Sequence, residues 1–282
     1  MSFVAIIGAG DIAGATAHAL ASRDCVSRLL LVDSAAGVAA GKGLDIVQSG
    51  AVDGFHTRLE GTDDLSRATG CAVCVVADRA GQKSVEWHGQ DGLAMLNRLA
   101  GWLGEAPIVF AGAGQLELIA HGYTETRLSR ARLVGSPAEA LASAAAAIVA
   151  IEAGCSADDV ALTVLGVPPG GFVIPWSETT IAGYNLERIL PRVQLSKIEA
   201  RVARLWPPGP YALGAAAAHV TASILDASRR SVTVFTPLGG EFGVRNRVAA
   251  MPVVLDTGGV ARISIPGLSP RERVQLETAL GA

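Results

Sequence analysis

The chain opens with a short apolar run, Phe3–Ile7. It stops at Gly8-Ala9-Gly10 and gives way to Ile12–Ser22, where apolar residues recur with the helical period. A second apolar run, Arg28–Val32, ends on Asp33, and Gly43–Gln48 again suits a helix. Ala72–Val76 and Ile108–Phe110 are apolar stretches of strand length, with the helix-like segment Leu93–Leu103 between them. Continuous apolar strands alternating with helices predict a parallel sheet covered on both faces.

The pattern changes in the second half. A helix over Ala138–Ala153 is followed by an apolar strand over Asp159–Val167, which breaks at Pro168-Pro169-Gly170-Gly171. Ile189–Leu205 reads as mostly helical and stops at Pro207-Pro208-Gly209-Pro210. A second Ala-rich helix is expected over Tyr211–Ala227. Ser231–Phe235, Met251–Leu255 and Val260–Ile265 then read as strands, with turns at Gly239-Gly240 and Gly258-Gly259. A helix pair with antiparallel strands is an α+β pattern, and the change of pattern puts a domain boundary near residue 140.

Composition narrows the class. Of 282 residues, 50% are hydrophobic and 17% charged, enough for a large core and too apolar for long disordered tails. The net charge of −3 offers no attraction to nucleic acid or an anionic membrane, and Arg229-Arg230 reads as a solvated turn. The Ala140–Ile151 run is only 12 residues long, bracketed by Glu139 and Glu152. A spanning helix needs about 20 apolar residues. No Lys or Arg precedes the run at Phe3, so no secretory leader is expected, and a cytoplasmic location follows as the default. Of the cysteines Cys25, Cys71, Cys74 and Cys155, the middle two form a C-x-x-C. Residues three apart on a strand face opposite sides of the sheet, and no second pair or nearby His completes a set. Buried, reduced thiols and no metal are expected.

Gly8-Ala9-Gly10-Asp11-Ile12-Ala13 fits G-x-G-x-x-G/A, with a strand before it, a helix after it, and Asp33 ending the next strand. In this motif the first glycine permits a tight turn and the second lets the backbone approach a pyrophosphate, while the small sixth residue allows close helix packing. Phosphates then sit at the helix N-terminus, and the acidic residue accepts from the ribose. Gly8, Gly10, Asp11, Ile12 and Asp33 are therefore candidate cofactor residues, with Ala77 at the end of the strand Cys71–Ala77. No Arg follows Asp33, which favours NAD over NADP, although the Asp11 carboxylate opposes a pyrophosphate. The expected fold is α/β. An N-terminal Rossmann doubly wound parallel sheet covers 1–140, and a C-terminal α+β domain covers 141–282.

Further segments carry a resemblance. Gly41-Lys42-Gly43-Leu44-Asp45-Ile46, Gly50-Ala51-Val52-Asp53-Gly54-Phe55, Leu93–Asn97, Gly209-Pro210-Tyr211-Ala212 and Gly239–Gly243 follow one another as in the malate/lactate dehydrogenase family. The chain resembles that family, and most nearly its bacterial malate dehydrogenases, over almost its whole length. The resemblance implies NAD-linked oxidation of a 2-hydroxy acid and an Asn97 that approaches the cofactor. It also implies a homo-oligomer, dimer or tetramer, with the helix after the second strand at the subunit interface.

The same resemblance implies a catalytic His, an Asp that holds it, and Arg side chains that clamp the substrate. The matching place for the His is Pro168, and those for the Asp and one Arg are Leu141 and Ala144. The family's Asn falls near Gly112 or Ala113, and the Gly before its mobile loop is Asp78, a second acidic group near the cofactor. Catalytic residues thus stay unassigned. Losing a general base alone costs about 10²–10⁴ in rate. The expectation is a pseudoenzyme, or a binding or assembly protein. The alternative is an oxidoreductase whose site has moved to the loop 79–90, with His88 as base and Arg79 or Lys83 as carboxylate ligand. His18, His56, His121 and His219 read as packed or solvated.

Overall fold

The computed structural model describes residues 2–81, 85–126 and 128–281. The first half runs β1 (Phe3–Ile7), α1 (Asp11–Ser22), β2 (Arg28–Val32), α2 (Ala36–Asp53), β3 (Arg58–Thr62) and β4 (Val73–Val76). The two-residue strands β5 (Asp78–Arg79) and β6 (Val85–Glu86) come next, then α3 (Gly89–Ala100), β7 (Ile108–Phe110), α4 (Leu116–Glu125) and β8 (Leu133–Gly135). After α5 (Pro137–Ala153) come β9 (Val160–Ala161), β10 (Leu165–Val167), β11 (Gly171–Val173), β12 (Thr180–Ile181) and β13 (Tyr184–Asn185). The chain continues with α6 (Arg192–Val202), α7 (Pro210–Leu225), β14 (Ser231–Gly239), β15 (Arg245–Asp256), β16 (Gly259–Ile263) and α8 (Pro270–Leu280).

Six strands pair in parallel in the order β3-β2-β1-β4-β7-β8. This is the doubly wound Rossmann order, with the strand order reversing between β1 and β4. Alternation explains the two-sided burial: Val4 and Ile6 of β1 join one core cluster, Ala5 and Ile7 the other. The sheet does not end at β8. Phe235 of β14 pairs antiparallel with Gly135, and β15, β10 and β11 extend the same sheet. The boundary expected near residue 140 falls inside α5, and hydrogen bonding passes from one half to the other.

Two expectations change. The strand read over Asp159–Val167 is split, because β9 pairs with β12 while β10 pairs with β11 and β15. Cys71 and Cys74 do not face opposite sides. Cys71 precedes β4, outside the two-residue period, and both thiols lie in one core cluster. A hydrogen bond from Cys74 holds the Cys71 thiol below its ordinary value. The same bond, with burial, pushes Cys74 well above. Among the described residues no group of three or more potential ligands could hold a metal, and no helix is long and apolar enough to cross a membrane.

The Ala-rich helices serve close packing. A Cβ on Gly214 of α7 would lie 2.5 Å from Ala15 Cβ and 2.8 Å from the Thr16 backbone nitrogen of α1. The helix that begins at the glycine motif is thereby braced by the C-terminal half. Gly214→Val should cost about 1–3 kcal/mol through overpacking against backbone that cannot move aside. The check is a lowered urea midpoint with an unchanged m-value.

Candidate functional site

The start of α1 positions the site. Gly8 takes φ +124° and donates its N–H to Val32, making the turn from β1 into the helix. The first N–H groups of a helix have no acceptor within it. Here Ile12 N–H donates to Asp78 Oδ2 at 3.1 Å and Ala13 N–H to Asp78 Oδ1 at 2.9 Å. Asp78 is only 1% exposed. Gly10 N–H donates to the Asp78 carbonyl at 2.9 Å, and a Cβ on Gly10 would lie 2.4 Å from Asp78 Cγ. The missing side chain of Gly10 therefore makes room for a carboxylate of the same chain. Lys42 Nζ donates to the Gly10 carbonyl at 2.6 Å and fixes the loop from the other side.

Asp33 is also committed. Its Oδ2 accepts from Ala9 N–H and Ala80 N–H, each at 2.9 Å, and its Oδ1 accepts from Ala35 N–H at 2.9 Å. These bonds tie the glycine loop, the loop after β2 and the residue after β5 to one buried side chain.

β5 and β6 pair antiparallel just beyond the carboxyl end of β4, Asp78 opposite Glu86. Glu86 Oε1 accepts from Ala113 N–H at 3.1 Å and Oε2 from Gly114 N–H at 2.7 Å. A Cβ on Gly112 would come within 2.3 Å of that carboxylate. Gln115, fully buried, accepts from Gly112 N–H at 2.9 Å and donates to the Ala77 carbonyl at 3.1 Å. Burial pushes the Glu86 carboxyl above its ordinary value; the Gly114 and Ala113 N–H groups offset this in part, the Asp78 charge adds to it, and His88 opposes it.

The other residues singled out by sequence are not gathered at this point. Asp11 is exposed on the first turn of α1, Ala77 is buried and bonded to Gln115, and Asn97 is exposed on α3. His88 is exposed at the N-terminus of α3. Arg79 stacks on the Trp87 ring at 4.8 Å and lies 3.9 Å from Asp91. Lys83 lies outside the described residues. Pro168 sits in the turn between β10 and β11, and Leu141 is fully buried in an apolar cluster with Ile148 and Trp176. Lys42, Glu86 and Gln115 were not singled out as ligands of this cleft. Lys42 lies in a segment that carries the family resemblance and Glu86 in the charged loop 79–90, but nothing in the sequence says which backbone groups they meet.

The residues present do not fit a dinucleotide. A pyrophosphate at the N-terminus of α1 would have to take the Ile12 and Ala13 N–H groups that Asp78 holds. Left in place about 4 Å away, that carboxylate would oppose each unit of phosphate charge by about 4 kcal/mol at an effective dielectric of about 20, roughly a thousandfold in affinity. Asp33 has its oxygens on backbone N–H groups where a ribose would need them.

A separate cavity of about 660 Å³ lies in the C-terminal half, lined among others by Glu139, Ser143, Asp158, Thr163 and Thr233. Glu139 accepts from Thr233 N–H at 2.8 Å and faces His219 at 3.8 Å. That spacing suits an ion pair, yet burial is the largest influence on both, raising the Glu139 carboxyl and lowering the His219 imidazole.

Comparison with known proteins bears on the whole chain. Residues 208–282 match the family model described as lactate/malate dehydrogenase, alpha/beta C-terminal domain. The malate dehydrogenase of Desulforudis audaxviator is 27% identical over 299 aligned positions, covering 99% of this chain and 95% of that protein. The solved malate dehydrogenase of Salinibacter ruber superposes with a TM-score of 0.86 at 25% identity, over 99% of this chain and 94% of the other. The minor L-lactate dehydrogenase of Enterococcus mundtii shares the fold, with a TM-score of 0.88 at 18% identity, 99% of this chain and 95% of the other being covered.

Glu86 yields a pH signature. Its folded value lies above the ordinary 4.5. Between the two, the folded chain holds a proton that the unfolded chain has released, so stability falls as pH rises through that window. Glu86→Gln should flatten this slope whatever its constant offset in stability. Urea midpoints measured from pH 4.5 upward check it, and an unchanged slope contradicts the assignment.

Proposed function

The chain belongs to the malate/lactate dehydrogenase family, and we propose that it is a pseudoenzyme of that family, acting by binding or assembly rather than by hydride transfer. One observation carries the reading: the place of the family's general base holds Pro168, which has no titratable group. Leu141 and Ala144 stand where the orienting acid and a substrate-clamping Arg belong, and Leu141 is buried among apolar side chains with no room for an ion. Without base, acid and clamp, nothing moves the hydroxyl proton or holds a carboxylate against it. Such losses are not additive, but together they leave no ordinary malate dehydrogenase activity.

The geometry favours this reading over a relocated site in loop 79–90. Glu86 is turned inward onto Ala113 and Gly114, and Arg79 is engaged by Trp87 and Asp91. NAD enters this proposal only as the ligand of the ancestral cleft. The assembled form is a homo-oligomer, dimer or tetramer, in the cytoplasm. Its support is α2, which presents Leu44, Val47 and Val52 to solvent, apolar surface suited to a second copy.

The expected outcome is no oxaloacetate- or pyruvate-dependent NADH oxidation above background. Measurable reduction, abolished by Gly10→Leu, would overturn the proposal. Sedimentation at micromolar concentration should show a dimer or larger species, weakened by Leu44→Glu with Val52→Glu. A monomer would remove the assembly part.

A further inference from the structure

We propose that the paired strands β5 and β6 act as an internal plug, and that the Asp78 carboxylate occupies the seat at the N-terminus of α1 that a dinucleotide's pyrophosphate would take. The cleft is liganded by its own chain, and the intact protein excludes NADH from it. This inference rests on the geometry of the cleft and is independent of whether the chain catalyses hydride transfer.

Several independent contacts make the same point. Asp78 takes the Ile12 and Ala13 N–H groups, the pair that a helix N-terminus of 12 residues would offer an anion. Gly10, the residue that lets a backbone approach phosphate, is in contact with Asp78 instead. Asp33, the residue that would hold a ribose, holds Ala80 in the segment just after Asp78 and so fastens the plug to the glycine loop. On the paired strand, directly opposite Asp78, Glu86 takes Ala113 and Gly114 N–H. Asp33, Asp78 and Glu86 together satisfy seven backbone N–H groups along this sheet edge. An entering ligand must break the plug's contacts before making its own, and apparent affinity falls by the fraction of chains that are open.

The test compares the full-length chain with Asp78→Gly and Asp78→Asn, using NADH as the probe in calorimetric titration. Hydrogen exchange at the Ile12 and Ala13 amides is followed in parallel. The intact chain should show no saturable binding up to about 1 mM NADH, with both amides protected, whereas Asp78→Gly should bind at least about a hundredfold more tightly. In Asp78→Gly the two amides should exchange quickly and regain protection when NADH is added. Asp78→Asn preserves the shape and removes the charge. It should gain binding in part, and it serves as the reporting variant if Asp78→Gly does not fold. Micromolar NADH binding by the intact chain would overturn the plug while leaving open whether any reaction follows. Folded variants that still fail to bind would overturn it as well, because Asp78 would then not be the excluding group.

Discussion

Two buried N–H groups at the start of α1 set the terms for the cleft. Ile12 and Ala13 lie under protein, so water cannot satisfy them, and the helix geometry denies them an acceptor of its own. A negative acceptor is the favoured solution because the helix dipole adds to the hydrogen bonds. The chain supplies it in Asp78. Once that carboxylate is in place, its backbone must lie against Gly8 and Gly10, β5 must leave the end of β4 at a fixed angle, and β6 follows as its partner. Glu86 then meets the Gly112–Gly114 turn, and Gln115 closes the loop back to Ala77.

Gathering acidic side chains in one cleft is unfavourable in itself. Burial and like charge both oppose ionisation, and the upward displacement of the Glu86 carboxyl is the visible result. Backbone N–H donors offset this opposition, and Lys42 on the Gly10 carbonyl adds a cation at the rim. The arrangement is over-determined: each carboxylate bridges segments far apart in sequence, so loosening one loosens several. The brace of α7 against α1 through Gly214 adds rigidity from outside, holding the helix end that Asp78 caps.

Likeness of fold extends over the whole molecule. The parallel strand order, the antiparallel extension through β14 and the paired Ala-rich helices give a scaffold of the dehydrogenase type, and the comparisons span it end to end. A fold alone does not entail its usual reaction, which depends on a few side chains at named places. At the carboxyl edge of the parallel sheet this chain sets its own acids, Asp33, Asp78 and Glu86, on backbone N–H groups.

The strands, the helices and their alternation were legible in the sequence, because an apolar run buried on both faces and an amphipathic helix leave different periods. The glycine motif and Asp33 were legible too, since a tight turn leaves a mark on composition. Even Asp78 stood out, as an acid where a glycine was expected. What sequence alone could not determine was the use of these residues. Gly10 reads the same whether it admits a phosphate or a carboxylate 68 positions away along the chain, and Asp33 reads the same whether it holds a ribose or Ala80. The thiols of Cys71 and Cys74 were assigned to opposite faces by a period that does not extend beyond the start of β4. Local pattern records what a residue can tolerate. Which partner meets it is settled by the sheet order, which brings the end of β4 to the start of α1, and by the desolvation that makes those buried N–H groups require an anion.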